Sequence, residues 1–198
     1  CEEYCDWMES SEAEAVLASA ATVVHLAGNL KPAQGDYTSA NVKTTERVAQ
    51  SVSPTCCRRL VFLSFHGAST SSTNPYLASK ALAENTLLSA GVPTTILRCC
   101  HIVGSPSHPG PTASSLIAGS SGVLQVLGSG SQCWAPVALQ DVVAAIVAAL
   151  AGEHDGRFDL QGPEVMQLDE LITVLNPGKR LLRLHIPCLL YTSDAADD

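Results

Sequence analysis

Short runs of β-branched and apolar residues alternate with amphipathic stretches in the first half of this chain. The runs at 22–27, 59–64 and 93–98 have the length and composition of strands, and the stretches at 37–52 and 75–90 have helical spacing. The order strand, helix, strand, helix, strand predicts an α/β fold with a doubly wound parallel sheet. The strands are almost continuously apolar, which is typical of a sheet covered on both faces.

The pattern changes after Gly104, where a Pro/Gly/Ser-rich loop begins. We therefore expect a sheet domain at 1–104 and a smaller, substrate-binding lobe at 105–187. The elements predicted in this lobe are a strand at 123–127, a helix at 139–152, a strand at 157–160 and a helix at 167–175.

Both ends of the chain look artificial. The first residue is Cys1 rather than methionine, so we expect the gene to begin earlier. Residues 188–198, CLLYTSDAADD, resemble a translated sequencing adapter and are left out of the fold reasoning as a non-native tail; a genuine polar tail is the alternative.

The net charge of −8 argues against nucleic acid and anionic membranes as partners, since both require a basic surface. No apolar run is long enough to span a bilayer, and the acidic amino end does not resemble a signal peptide, so we expect a cytoplasmic protein. That acidic stretch is most simply a solvated helix face. The eight cysteines lack paired CxxC spacing and no HExxH occurs, so reduced thiols and no metal are expected.

The segment NPYLASKALAE, residues 74–84, has a helix-start signal in Asn74-Pro75. Tyr76 and Lys80 are four residues apart and therefore lie on one face of the predicted helix. Open parallel sheets bind ligands beyond the carboxyl ends of their strands, and Tyr76 follows such an end by a short loop. The spacing alone leaves open a surface tyrosine beside a solvated lysine.

Six segments resemble, in order and spacing, the extended and atypical short-chain dehydrogenase/reductase superfamily, and the NAD-dependent epimerase/dehydratase branch in particular. The resemblance covers roughly residues 4–187 and implies a Rossmann-type domain that binds NAD or NADP. The segments are VVHLAG, NVKTTERV, RLVFLSFHGAS with NPYLASKALAE, ILRCCHIVG, APVALQDVVAAIVAAL and FDLQGPEVMQLDELI.

The resemblance implies that Tyr76 is the general acid/base and that Lys80 holds the nicotinamide ribose. We expect the ammonium of Lys80 to lower the pKa of Tyr76 by about 1 to 3 units from about 10. The family places Ser or Thr where this chain has Phe65, so Ser64, or a hydroxyl of residues 69–73, is the expected replacement.

The other cofactor contacts implied by the resemblance lie before the first predicted strand, on the predicted helix at 37–52 and after the predicted strands. Asn41 matches an asparagine that orders the active-site helix or a proton relay, with a helix N-cap as the alternative. Asp6 matches an acidic residue that binds adenine, with a turn residue as the alternative. The remaining predicted contacts are Ala27, Gly28, Cys99 and His101, although a glycine that only makes the turn, or a loop histidine bonded to solvent or backbone, would look the same.

The chain departs from the family pattern at its start, where the Gly-rich phosphate-binding turn and the first βαβ, roughly 50 to 60 residues in such folds, do not occur. We therefore expect a truncated fragment that is inactive by itself and binds the dinucleotide poorly. The family's proline after the arginine of ILR is also replaced, by Cys99.

Two functions follow from these patterns. The first is an NAD(P)-dependent epimerase, dehydratase or reductase that acts on a nucleotide-sugar or similar carbonyl or alcohol substrate. The second is a non-catalytic NAD(P)-binding member that serves as redox sensor, assembly factor or structural subunit. Phe65 favours the second, and intact Tyr76 and Lys80 favour the first. A homodimer through the helices at 37–52 and 75–90 is inferred by analogy alone.

Overall fold

Strands and helices alternate along the chain in the computed structural model, which describes residues 6–30, 32–104, 117, 122–152 and 154–186. A π-helical segment, Thr38–Lys43, precedes the second α-helix. In chain order the elements are α1 Ser11–Ser19, β1 Thr22–His25, α2 Thr44–Ser51, β2 Arg59–Phe65, α3 Pro75–Leu88, β3 Thr94–Cys99, β4 Ile102–Val103, β5 Val123–Leu127, β6 Cys133–Trp134, β7 Val137–Ala138, α4 Leu139–Ala151, β8 Gly156–Leu160, β9 Met166–Gln167, α5 Leu168–Leu175 and β10 Leu182–Ile186.

The main sheet has the strand order β1-β2-β3-β8, and its neighbouring strands are parallel. The predicted α/β fold with a parallel sheet is therefore confirmed. The strand at 157–160, which the sequence analysis assigned to the smaller lobe, instead pairs with β3. The predicted run of four residues is too short to indicate which sheet it joins, and most side chains of the strand are exposed.

Helices α2 and α3 pack near the sheet, and their buried apolar side chains, which include Val48, Ala83 and Leu87, join those of the central strands. The later part of the acidic amino-terminal stretch is a solvated helix face, as predicted: α1 is capped by Ser10, whose hydroxyl accepts a hydrogen bond from the amide of Ala13, and Glu12 and Glu14 are exposed. The buried core of the sheet contains Val23, Val48, Val52, Cys57, Leu60, Phe62, Ala83, Leu87, Val92 and Ile96.

The described residues divide into two compact units. The first contains the chain up to Cys99 and Val143–Leu160, and so includes the main sheet and α1 to α3. The second contains Cys100–Val142 and the chain from Gln161 onward. Its own small core is formed by Leu171 and Leu175 of α5, with Trp134 and Met166 packed against them.

Three sequence predictions lie wholly or partly outside the described residues. They concern the tail at 188–198, most of the Pro/Gly/Ser-rich loop after Gly104, and the residues before Asp6. The boundary at residue 104 stays a prediction. Among the helices that the structure describes, none is long and apolar enough to cross a membrane.

Candidate functional site

Tyr76 and Lys80 lie on the first two turns of α3, the helix that follows β2. The side chain of Asn74 accepts a hydrogen bond of 3.0 Å from the amide of Tyr76, and Pro75 occupies the first helical position. These are the helix-start features that the sequence predicts. The start of α3 is therefore fixed, and Lys80 follows Tyr76 by one turn.

The ammonium of Lys80 is buried against β2. Its Nζ donates a hydrogen bond of 2.8 Å to the carbonyl of Leu63 and lies 4.1 Å from the centre of the Phe62 ring. Burial lowers the pKa of Lys80 to about 8, while the nearby Glu84 and Cys99 act in the opposite direction. The group is therefore mostly charged at neutral pH, but it loses its proton more readily than an exposed lysine.

Tyr76 is surrounded by aromatic rings. Its ring meets Phe65 edge-on at 5.5 Å between centroids and lies tilted against Tyr37 at 6.3 Å. Burial raises the pKa of Tyr76 to about 12. The expectation that Lys80 lowers this pKa is therefore wrong for the chain by itself, because desolvation by the surrounding residues dominates and the ammonium is directed at the carbonyl of Leu63.

Gly28 lies three residues after the end of β1, and its backbone is exposed because it has no side chain. A Cβ at this position would lie 2.9 Å from Oδ1 of Asn41 and 3.6 Å from Nζ of Lys80, so a side chain would not fit without displacing Asn41. Neighbouring Ala27 is partly buried. Gly28, Asn41 and Lys80 are thus brought together although they are far apart in sequence.

Asn41 connects this strand end to α3. Its Oδ1 accepts a hydrogen bond of 2.8 Å from the amide of Asn29, and its Nδ2 donates to the carbonyl of Asn29 and to Oγ of Ser79. Ser79 in turn donates to the carbonyl of Tyr76. Because Asn41 is buried inside the π-helical segment, the alternative of a helix N-cap is wrong.

Ser64 has a different environment from the one expected of a catalytic hydroxyl. It is buried, and its Oγ donates a hydrogen bond of 2.5 Å to Glu84. Its proton is therefore already engaged, and we do not include Ser64 among the groups proposed to meet a substrate. In the 69–73 segment, the hydroxyls of Ser69 and Ser71 are 2.9 Å apart and exposed or half-buried.

The remaining predicted residues have environments of their own. Asp6 is exposed in a turn, with φ of 53° and its carbonyl bonded to the amide of Glu9, as the turn alternative predicts. Cys99 is buried, and its carbonyl accepts a hydrogen bond from the amide of His66. His101 belongs to the second unit, where it stacks on Trp134 at 3.5 Å, and burial lowers its pKa to about 4.

Two residues near the site were not singled out from the sequence. Tyr37, which contacts Tyr76, lies at the start of the stretch predicted as a helix and directly precedes the π-helical segment, but its sequence pattern does not indicate this contact. His25 is buried beneath the site, stacked on Phe62, with Nε2 3.0 Å from Oγ1 of Thr45. A polar residue within the apolar run TVVHLA could have indicated a buried, hydrogen-bonded histidine.

The first unit therefore presents a bare backbone, a buried ammonium and a phenol near the carboxyl ends of two parallel strands. Such an arrangement can accommodate a ligand that approaches the backbone closely and carries hydroxyl or carbonyl oxygens.

The sequence is similar to known proteins. The chain is 31% identical over 175 residues to the mitochondrial protein "NADH dehydrogenase [ubiquinone] 1 alpha subcomplex subunit 9" of Arabidopsis thaliana. The match covers 86% of this chain and 43% of that protein, so the chain spans less than half the length of this relative.

Solved structures with the same fold include two sugar-nucleotide enzymes. A double mutant of the dTDP-glucose 4,6-dehydratase DesIV from Streptomyces venezuelae, with NAD bound, aligns over 91% of this chain and 66% of its own, with TM-score 0.70 and 21% identity. The UDP-N-acetylglucosamine 4-epimerase from Methanobrevibacter ruminantium aligns over 92% of this chain and 68% of its own, with TM-score 0.69 and 19% identity. At these identities the likeness concerns the fold alone.

The sequence model of the NAD dependent epimerase/dehydratase family matches residues 2–160, which include the whole main sheet and both Tyr76 and Lys80. The resemblance inferred from the six sequence segments is thereby confirmed. The chain belongs to the NAD dependent epimerase/dehydratase family.

Proposed function

We propose that this chain is part of an NAD(P)-dependent oxidoreductase, epimerase or dehydratase in which Tyr76 exchanges a proton with a carbonyl or alcohol oxygen. A nucleotide-sugar, or a similar small carbonyl compound, is the proposed substrate class, because the structural neighbours are named as enzymes of such compounds. The observation that carries the proposal is the buried ammonium of Lys80 beside the bare backbone of Gly28, one helical turn from Tyr76.

The residues at the end of β1 fit a dinucleotide. Gly28 is exposed and has no side chain, so its backbone is accessible to a flat or extended ligand at van der Waals distance. The ammonium of Lys80 is the donor suited to ribose hydroxyls, and Asn41 keeps the backbone of Asn29 in place. When bound, the nicotinamide would supply the hydride acceptor or donor.

Tyr76 starts from its protonated form. With a pKa of about 12, only about one molecule in 10⁵ carries the phenolate at pH 7. Tyr76 is therefore suited to donating its proton to a carbonyl oxygen, which is the direction of carbonyl reduction. The reverse direction needs a base and requires the pKa of Tyr76 to fall when cofactor and substrate bind.

The aromatic rings of Phe65 and Tyr37 pack against the ring of Tyr76 and reduce its contact with water. Phe65 also places an apolar ring where the family has a hydroxyl that binds the substrate oxygen. Because Ser64 is engaged by Glu84, we propose Tyr76 as the partner of the substrate oxygen, with a hydroxyl of residues 69–73 as the alternative.

A second candidate function is dinucleotide binding without turnover, as a structural subunit, assembly factor or redox sensor. Two observations favour it: the edge of Phe65 against Tyr76, and the engagement of Ser64 by Glu84. The relative with 31% identity is itself named a subunit of NADH dehydrogenase. In this function Lys80 and Gly28 keep their binding roles and Tyr76 is a packing residue.

The test measures dinucleotide binding and turnover separately. NADH and NADPH binding is followed by calorimetry for the chain and for the product of any longer open reading frame that contains it, with Lys80→Met and Tyr76→Phe as variants. For the enzyme we expect Lys80→Met to weaken binding, and Tyr76→Phe to abolish carbonyl reduction while binding persists.

Tight binding with no turnover across carbonyl compounds and nucleotide-sugars would support the second candidate. Unchanged turnover in Tyr76→Phe would contradict the proton-transfer role, and unchanged binding in Lys80→Met would contradict the proposed cofactor site. Lys43→Met is the matched control, because Lys43 is an exposed lysine in the π-helical segment.

A further inference from the structure

Glu84 lies one turn beyond Lys80 on α3, and its carboxylate is fully enclosed. It accepts four hydrogen bonds: one from Ser64 at 2.5 Å, two from Arg98 at 2.9 and 2.6 Å, and one from Arg157 at 2.7 Å. Ser64, Arg98 and Arg157 belong to β2, β3 and β8. The single side chain of Glu84 therefore connects α3 by hydrogen bonds to three of the four strands of the main sheet.

This carboxylate is held in its charged form. Burial raises the pKa of Glu84, but the hydrogen bonds from Arg98, Ser64 and Arg157 outweigh that effect, and the pKa lies below its ordinary value. A buried ion cluster of this kind adds little stability compared with well-packed apolar side chains. The cluster instead determines the orientation of the side chains, because bidentate guanidinium contacts fix the orientation of both partners.

The geometry of Glu84 is coupled to that of Lys80 through β2. Lys80 donates to the carbonyl of Leu63, and the next residue of the strand, Ser64, donates to Glu84. Two side chains one turn apart on α3 are thus bonded to consecutive residues of β2. Together they set both the rotation of α3 about its axis and its position along the strand.

We propose that Glu84 is a positioning residue, which holds α3 on the sheet so that the ammonium of Lys80 stays between the Leu63 carbonyl and the Phe62 ring. The inference rests on the proposed function only for what Lys80 does there. The geometry to be tested exists without cofactor or substrate.

The charge of Glu84 also acts on Lys80. In the part of the chain that the structure describes, Lys80 interacts electrostatically with Glu84 on its own helix, Cys99 on β3 and His25 on β1. Glu84 and Cys99 raise the pKa of Lys80 against the larger effect of burial. Loss of the carboxylate should therefore lower the pKa of Lys80 further.

The test is a nuclear magnetic resonance titration of the cofactor-free chain labelled with carbon-13 at lysine Cε. The sequence has four lysines, so the signal of Lys80 can be assigned by its loss in Lys80→Arg. Because Nζ of Lys80 lies 4.1 Å from the Phe62 ring centre, its ε-methylene protons should be shifted upfield by the ring current.

We expect Glu84→Gln to lose most of this upfield shift and to lower the pKa of Lys80. Glu84→Asp, which keeps the charge but shortens the side chain, should reduce the upfield shift with a smaller change in pKa. Ser64→Ala removes only the hydrogen bond between β2 and Glu84 and keeps the ion pairs of Glu84 with Arg98 and Arg157. This variant should therefore fold, and the chemical shift of Lys80 should still change.

Glu46→Gln, at an exposed carboxylate on α2, is the control and should change neither quantity. An unaltered Lys80 shift and pKa in folded Glu84→Gln would overturn the proposal. If that variant does not fold, an unaltered signal in Ser64→Ala overturns it instead. These readouts are independent of dinucleotide binding, so a failure here is distinct from a failure of the proposed function.

Discussion

Acidification from pH 7 to pH 5 is expected to destabilise the first unit through His25. This side chain is 4% exposed, and burial, aided by the charge of Lys80, lowers its pKa from 6.5 to about 4. Below pH 6.5 the unfolded chain binds a proton at His25 while the folded chain does not, so stability falls as the pH falls.

The size of the effect follows from the two pKa values. A shift from 6.5 to about 4 corresponds to about 3.4 kcal/mol once His25 is protonated in both states. Between pH 7 and pH 5 the same values give a loss of about 2 kcal/mol in the free energy of unfolding. Glu84 stays ionised in this range because its pKa lies below the ordinary value.

Urea unfolding followed by circular dichroism, at several pH values in this range, measures the loss. In His25→Gln, which offers a neutral polar group to Thr45, the pH dependence should shrink by about 2 kcal/mol. His66→Gln is the matched control, since His66 is exposed and its Nδ1 lies 3.0 Å from Asp159. An identical pH dependence in wild type and His25→Gln would refute the assignment of this loss to His25.

Three further predictions concern single substitutions. Gly28→Ala should lower the free energy of unfolding by about 1–3 kcal/mol and weaken dinucleotide binding at least tenfold, measured by urea unfolding and calorimetry, because its Cβ would lie 2.9 Å from Asn41. Arg59→Leu should cost about 1–3 kcal/mol, measured by urea unfolding, because the buried guanidinium donates to the carbonyl of Gly152 at 2.8 Å and pairs with Asp155. Phe65→Thr should lower the pKa of Tyr76 from about 12 towards 10, measured by the ultraviolet absorbance of tyrosinate with Tyr76→Phe as reference; an unchanged titration would show that Phe65 does not desolvate the phenol.

The sequence predicts the elements of the first unit well because each is specified locally. Asn74 and Pro75 start α3 in the structure as their residue types require, and the apolar run of β2 is buried along most of its length. The strand Gly156–Leu160 could not be assigned to the main sheet from its sequence. Its placement depends on pairing with β3 and on the contact of Arg157 with Glu84, which are contacts between residues distant in the chain.

The pKa of Tyr76 shows the same limit at the site. Spacing places Tyr76 and Lys80 on one helical face, but it cannot predict what else the ammonium contacts. Here the ammonium is bonded to Leu63, and the phenol is surrounded by Phe65 and Tyr37. Desolvation then has the larger effect, and the pKa of Tyr76 rises to about 12. Since Phe65 is the last residue of β2, position 65 can tune the acidity of Tyr76 without altering the tyrosine–lysine pair itself.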